Sequence, residues 1–383
     1  MNIILEGSDA VVGTRAIRRY AISLMAHLPS IGKNDRFTVF LNFFRGDAGI
    51  IQGKIVGMGN ARVVRWACPR HLSLPLWHHL SFPPIDYFAG RADVFHSLGD
   101  DCPPVRSGTY IMTLHGIIYM SRPDLIDPRY VREKRTWLQK AVQRSHYFIS
   151  VSETTKAEFL SYFPRVEPER VRVIPLGIGP EFHRMDRTTI RATLRERFDV
   201  CRPYLLYVGG LQAHKNINGI IRGFSQIAHK HTDVELILVG KEKEDPVDVR
   251  ALIANLRLQD RVRIHPYINQ EDNGLPLLYN GAACFVFPSF VEGWTSPPLE
   301  AMACGAPVVT SNVSSLPETV GDAAVTVDPT SPEDIGHALD RLLTDSALRA
   351  TLRAKGLQRA SRFTWKRCAE STHAFYREVA AAR

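Results

Sequence analysis

The feature that most constrains this chain is an alternation of short apolar runs with helix-period segments that continues to Ile174, breaks, and begins again at Tyr204. Residues 2–5, 37–41, 61–64, 92–95, 110–114, 147–151 and 171–174 read as strands, with helical patterns between several of them, as at 129–144 and 153–162. Such alternation implies right-handed crossovers and a mostly parallel sheet covered on both faces. The turn-rich stretch Pro175-Leu-Gly-Ile-Gly-Pro180 interrupts the series, a charged helical stretch follows at 185–198, and new strands are expected at 204–208, 235–239, 261–264, 283–287, 307–310 and 324–327. The helix after the first of these has one apolar face, carried by Ile217, Ile220, Ile221, Phe224 and Ile227.

The fold class is therefore α/β, with two Rossmann-like halves. The first spans 1–180 and the second 181–363, and the apolar stripe of a last helix, about 364–383, is expected to return to the first half. Ligands of such sheets bind beyond the carboxyl ends of the strands, so facing domains would place the active site in a cleft. The chain has 383 residues, comfortable for two domains. No apolar run reaches the roughly 20 residues of a membrane helix, and the opening MNIILEGSDA lacks the basic flank and long apolar region of a secretory signal. A cytoplasmic protein is expected. The six cysteines show neither C-x-x-C pairing nor zinc spacing, which fits buried, reduced thiols.

Charge is uneven. Residues 1–180 hold 23 Lys and Arg against 15 Asp and Glu, whereas the second half is nearly balanced. A basic first half suits an anionic partner such as a phosphate or the inner face of a membrane. No nucleic-acid module signature is present, so a nucleic-acid partner is not expected. The run at 71–88, HLSLPLWHHLSFPPIDYF, is rich in Leu, Trp and Phe. It reads first as a helix packed in the first domain, and second as an acceptor-site lining or a membrane contact.

Two stretches of the second half carry chemistry. In Tyr204-Leu-Leu-Tyr-Val-Gly209-Gly210-Leu-Gln-Ala-His214-Lys215-Asn216 a buried strand runs into glycines and then a lysine, which lets a phosphate approach the backbone beside a point charge. In Phe287-Pro-Ser-Phe-Val-Glu292-Gly293-Trp294-Thr295-Ser296-Pro-Pro-Leu-Glu300 a strand ends in a loop, and a helix opens near Leu299. The amides of Gly293–Ser296 and the helix N-terminus can face an anion. Glu292 and Glu300, with seven residues between them, could flank a nucleotide sugar, one at the sugar and one at the ribose. Taken singly, Glu300 reads sooner as a first-turn acid stabilising the helix dipole and Glu292 sooner as a solvated loop residue.

Together these stretches resemble the retaining glycosyltransferases of family 4, which have the GT-B fold, an E-x7-E motif followed by A-M-A-C-G-x-P-V-V, and a phosphate motif V-G-x-L-x-x-x-K-N. Val151-Ser-Glu-Thr-Thr-Lys, Val171-Arg-Val-Ile-Pro-Leu-Gly-Ile and Phe363-Thr-Trp are similar to the family's interdomain region and closing helix, so the likeness covers about 92–380. It implies a metal-independent hexosyl transfer, with no cofactor, from a nucleotide-diphosphate sugar (mannose by general likeness) to a glycan or lipid-linked acceptor in cell-surface polysaccharide or glycolipid assembly. Lys215 would then neutralise the diphosphate and Glu292 would stabilise the transferred sugar. Glu300 would hold the ribose, with Gly209, Gly210, His214, Tyr267 and the 293–296 loop completing the donor site. Thr113-Leu-His115-Gly116 resembles the family's T-x-H-D, which assigns His115 to the sugar near the reacting carbon. Gly13, Thr14 and Arg15 resemble its glycine-rich acceptor-side loop.

The chain departs from the family where Gly210 and His214 stand in place of a frequent Arg, Thr295-Ser296 in place of Gly-Leu, and Gly116 in place of Asp. These changes bear on substrate choice more than on reaction class. Two other readings are a nucleotide-sugar epimerase of the same fold and a non-catalytic nucleotide-sugar or glycan-binding module.

Overall fold

The computed structural model describes residues 1–12, 15–44, 49, 51, 53, 58–240, 249–266, 268 and 274–382. The chain forms two compact units, Met1–Gly177 with Trp365–Arg383, and Ile178–Thr364.

The first unit holds β1 (Asn2–Glu6), β2 (Arg36–Asn42), β3 (Ala61–Trp66), β4 (Val94–Ser97), β5 (Thr109–Leu114), β6 (Tyr147–Ser150) and β7 (Val171–Val173). They form a parallel sheet in the order β3-β2-β1-β4-β5-β6-β7. Inner strands such as β4 and β5 are buried at every residue, which is why they read as unbroken apolar runs. The edge strand β3 is half exposed and carries Arg62 and Arg65, as an edge that must resist further pairing does. Helix Trp365–Ala381 belongs to this unit, and its stripe of Trp365, Cys368, Ala369, Thr372, Phe375, Tyr376 and Val379 is buried. The Tyr376 hydroxyl lies 2.5 Å from His96 Nδ1 on β4, and Phe375 meets the edge of Tyr147 on β6.

The second unit holds β8 (Tyr204–Val208), β9 (Glu235–Val239), β10 (Val262–His265), β11 (Cys284–Phe287), β12 (Val308–Ser311) and β13 (Val325–Val327), parallel in the order β10-β9-β8-β11-β12-β13. The apolar face of helix Ile217–Ile227 is buried as its spacing requires. Each strand expected from the sequence is present, most of them shifted by one or two residues at an end. All six cysteines are free, but burial holds only for Cys102, Cys284, Cys304 and Cys368. Cys68 is half-buried, and Cys201 is exposed because it lies in the connection entering β8.

In each sheet the chain starts in the middle and works outward first one way and then the other. The order reverses between β1 and β4 in the first unit and between β8 and β11 in the second. The crossovers on either side of such a point diverge, opening a crevice at the carboxyl ends of those two strands. Beside the second crevice, Gly209 N–H donates to Val239 O, and Gly240 follows β9 with its Cα side against the Gly209 carbonyl. A Cβ at Gly240 would sit 1.7 Å from that oxygen. Gly240→Ala is therefore expected to displace the 209–210 backbone and lower stability by about 1–3 kcal/mol, measured by urea denaturation.

Candidate functional site

The second unit's crevice is built from the two loops that leave β8 and β11. After Val208 the chain passes Gly209 and Gly210, makes a tight turn over Ala213–Lys215 and enters helix Ile217–Ile227. Asn216 stands at the junction with φ 58°, a left-handed conformation that Asn tolerates better than most residues. Its side chain caps the helix by accepting from Gly219 N–H at 3.1 Å and donates to the carbonyls of Pro288 (3.1 Å) and Pro329 (2.6 Å). A second stitch, Phe290 N–H to His214 O at 2.9 Å, joins the loops.

These stitches bring Lys215 and Glu292 together. Lys215 Nζ lies 2.6 Å from Glu292 Oε1, with the side chains 17% and 9% exposed. Lys215 also sits over the Phe287 ring. Glu292 is thus no solvated loop residue. Ser314 Oγ accepts from its N–H at 3.0 Å, and the hydroxyls of Ser314 and Ser315 donate to its carbonyl at 2.9 Å. Burial and then the Glu292 charge hold the Tyr207 phenol well above its usual pKa. It therefore stays a donor, to Gly210 O at 2.7 Å.

Helix Ser296–Ala303 opens three residues earlier than expected, with Pro297 and Pro298 in its first turn. Glu300 consequently falls beyond that turn. It is 5% exposed and accepts from the Tyr279 hydroxyl at 3.1 Å, so a dipole-facing surface acid is not what it is. The two prolines leave only Ser296 and Leu299 with N–H groups among the first four helical positions, which halves the donors expected there. The N-cap Thr295 makes no side-chain capping bond, and its buried hydroxyl and the Trp294 indole N–H have no protein partner. Unpaired buried polar atoms are rare enough to mark a place where a ligand or water bonds. Tyr267 lies outside the described residues.

The first unit's crevice has a different chemistry. Asp9 and Asp101 both bond Arg70, at 3.2 and 2.5 Å, and Lys134 pairs with Asp100 at 2.5 Å. Glu6, at the end of β1, is fully buried beside them, and burial, then Asp101 and Asp9, hold its carboxyl well above the usual range. Asp101 is likewise raised, to about 7, by burial against the lowering effect of Arg70.

After β5, His115 Nε2 lies 2.8 Å from the Leu98 carbonyl, which can only accept. Nε2 therefore carries the proton and Nδ1 is the basic nitrogen. The Tyr20 ring meets the imidazole edge-on at 4.8 Å, and burial lowers its pKa, so the ring stays neutral. Gly13 and Thr14 of the expected acceptor-side loop lie outside the described residues, and Arg15 is seen only as the first residue of helix Arg15–Ile31.

Sequence reasoning missed Asn216 as the clamp, Tyr279 as the partner of Glu300, the Ser314–Ser315 grip and the acid cluster around Arg70. An Asn directly before an apolar helical face, a favoured N-cap residue, was the one local signal available for any of them.

Two outcomes follow. Asn216→Ala removes a cap and two loop-to-loop bonds and is expected to cost about 2 kcal/mol in chemical denaturation. For Asp101 the folded pKa exceeds the unfolded one, so the folded state keeps a proton that the unfolded state has lost between about pH 4 and 7. Stability from this group falls as pH rises through that window. Asp101→Asn keeps an acceptor for Arg70 without titrating. Its stability relative to the parent should therefore rise from pH 4 to 7 in parallel thermal melts.

Two family models match the chain, one described as glycosyl transferases group 1 over residues 191–359 and one as Glycosyltransferase Family 4 over 17–182. The O-antigen chain mannosyltransferase B of Escherichia coli is 30% identical over 271 residues, covering 70% of each chain. The serotype-specific mannosyltransferase WbdA of Escherichia coli is 27% identical over 288 residues, which are 73% of this chain but 34% of that longer protein. Among solved structures, a sucrose-phosphate synthase from Thermosynechococcus elongatus superposes with a TM-score of 0.75 at 19% identity, covering all of both chains. At that identity the likeness speaks for the fold. With two Rossmann-like units, the glycine–lysine loop and the Glu292/Glu300 pair in place, the chain belongs to the group 1, family 4 glycosyltransferases and has their two-domain GT-B fold.

Proposed function

We propose that this glycosyltransferase moves a hexose, mannose by its similarity to the two Escherichia coli mannosyltransferases, from a nucleotide-diphosphate donor to a hydroxyl of a glycan or lipid-linked saccharide during polysaccharide assembly, with retention of configuration and without a metal. The observation that carries this is the Lys215–Glu292 pair, held at the carboxyl ends of β8 and β11 beside two glycines. A diphosphate entering over Gly209 and Gly210 offers Lys215 a second anion. Glu292 is then left to face the sugar, where an oxocarbenium-like state develops positive charge. Glu300, buried and fixed by Tyr279, is poised for the ribose hydroxyls.

The covalent change is a balanced displacement. The acceptor oxygen bonds to the anomeric carbon as the bond from that carbon to the phosphate oxygen breaks, and the acceptor's proton passes to the departing diphosphate. Retention requires attack from the face the leaving group vacates, and the family likeness supports this. Little is asked of the protein beyond positioning and charge stabilisation. The charge state of the first unit's crevice supports its assignment to the acceptor. Each cation there already has carboxylate partners, Asp9 and Asp101 on Arg70 and Asp100 on Lys134. An edge of that kind suits neutral hydroxyls better than a diphosphate.

The test is donor binding by thermal shift with GDP-mannose and with UDP and ADP sugars, followed by turnover with a saccharide acceptor. Lys215→Ala should weaken binding of the preferred donor about ten- to a hundredfold, the worth of a charge-assisted bond. Glu300→Ala should raise the donor KM more than it lowers kcat. Unchanged donor binding in both variants would remove the site assignment, and interconversion of the donor sugar without acceptor would make the chain an epimerase.

A further inference from the structure

Among the described residues of the first unit, the segment after β3 is the least covered apolar stretch. Helix Arg70–Pro75 continues through a wider turn, Leu76–Leu80, and stops at Ser81, which has φ 51°. Its inner side is anchored by Trp77, fully buried and in ring contact with Trp66. Its outer side and the following turn present Leu72, Leu80 (68% exposed), Phe82, Tyr87 and Phe88 to solvent. Phe82 and Tyr87 lie edge to face, and Phe88 stacks on Trp66. The helix is packed in the first domain, as expected, through Ser73 and Trp77, but its other side is uncovered. Large apolar side chains grouped at a surface mark an interaction site.

Cations border the patch. Arg106 lies over the Tyr87 ring at 4.9 Å. Arg144 donates to Trp77 O at 2.6 Å and to Ser81 Oγ at 2.8 Å, and Lys140 donates to His78 O at 3.1 Å. Both belong to helix Pro128–Arg144, which carries six Lys or Arg against one Glu. The positive field shows at His78, lowered to about 4 by burial and next by Lys140 and Arg144. Three carbonyls of the wider turn are bonded within the protein, Leu76 O by Ser81 N–H, Trp77 O by Arg144 and His78 O by Lys140. What the surface offers is large apolar side chains bordered by positive charge. That combination suits an anionic lipid interface.

We infer that Leu72, Leu80, Phe82, Tyr87 and Phe88, rimmed by Arg106, Lys140 and Arg144, form a docking surface for an anionic lipid bilayer. The inference is independent of the transfer reaction. It concerns where the protein works and not what it transfers.

Co-sedimentation of the full chain with vesicles tests it. Vesicles with a third phosphatidylglycerol in phosphatidylcholine should bind at least tenfold more protein than pure phosphatidylcholine, and half-molar salt should reduce that advantage. The double variant Leu80→Ser with Phe82→Ser should lower partitioning at least tenfold, each side chain removing apolar surface worth about a factor of ten. Its circular dichroism and the thermal shift given by its nucleotide donor should stay those of the parent, which separates loss of docking from misfolding or from a wrong donor site. Equal binding to both vesicle types, or undiminished binding by a folded double variant, would overturn the proposal. So would a concentration-dependent dimer abolished by the double variant in a protein that ignores vesicles, which would make the patch a contact between copies.

Discussion

Reversal of strand order in a parallel sheet is the constraint on which the chemistry of the second unit rests. Its consequence is set by register. β8 and β11 pair with Leu205 beside Cys284 and Leu206 beside Phe285, so Gly209 and Pro288, each three residues further on, leave the sheet at the same level. The loops they begin have only one crevice to share. Asn216 reaches across it to two carbonyls on other loops, and Lys215, its neighbour, is delivered to a carboxylate 77 positions away. Nothing about Lys215 or Glu292 by itself specifies that meeting.

Removing both partners of such a pair from water is costly, and the pair is useful only if the groups holding it are fixed. Here they are fixed through the backbone. Glu292 is gripped at its N–H and its carbonyl by two consecutive serines. Lys215 lies one residue before the Asn216 cap and over the Phe287 ring, which is itself stacked on Tyr207. Side-chain freedom at the site is therefore small before any substrate arrives, the condition under which positioning contributes most to a displacement.

The strands were legible because burial on both faces leaves a run such as Tyr204-Leu-Leu-Tyr-Val little choice of residue type. The apolar face of helix Ile217–Ile227 was legible because a period of 3.6 cannot serve a strand. The E-x7-E stretch was legible as a motif but not as a geometry. Its second glutamate sits beyond a proline-opened turn that starts at Ser296 rather than near Leu299, and its partner Tyr279 comes from a separate helix, Gly274–Gly281. The run at 71–88 was legible only in part, for a related reason. Trp77 and Ser73 are buried as a packed helix demands, while Leu72 and Leu80 on the same turns face water, and composition does not record which side is covered. The cluster around Arg70 was out of reach because its members lie on four separate stretches of chain, each unremarkable alone.

The closing helix of the first unit is separated from the rest of that unit by the whole of the second. During synthesis on the ribosome the order of completion is therefore inverted. Residues 178–364 have all their parts as soon as they emerge, whereas the first sheet must wait with the faces destined for Phe375 and Tyr376 uncovered. A nascent chain paused between the two stages leaves His96 and Tyr147 without the Tyr376 and Phe375 that meet them in the finished fold. The mature protein also cannot be divided into two clones by cutting once. Separating the units takes a cut on each side of residues 178–364, with the last helix rejoined to residue 177 by a linker.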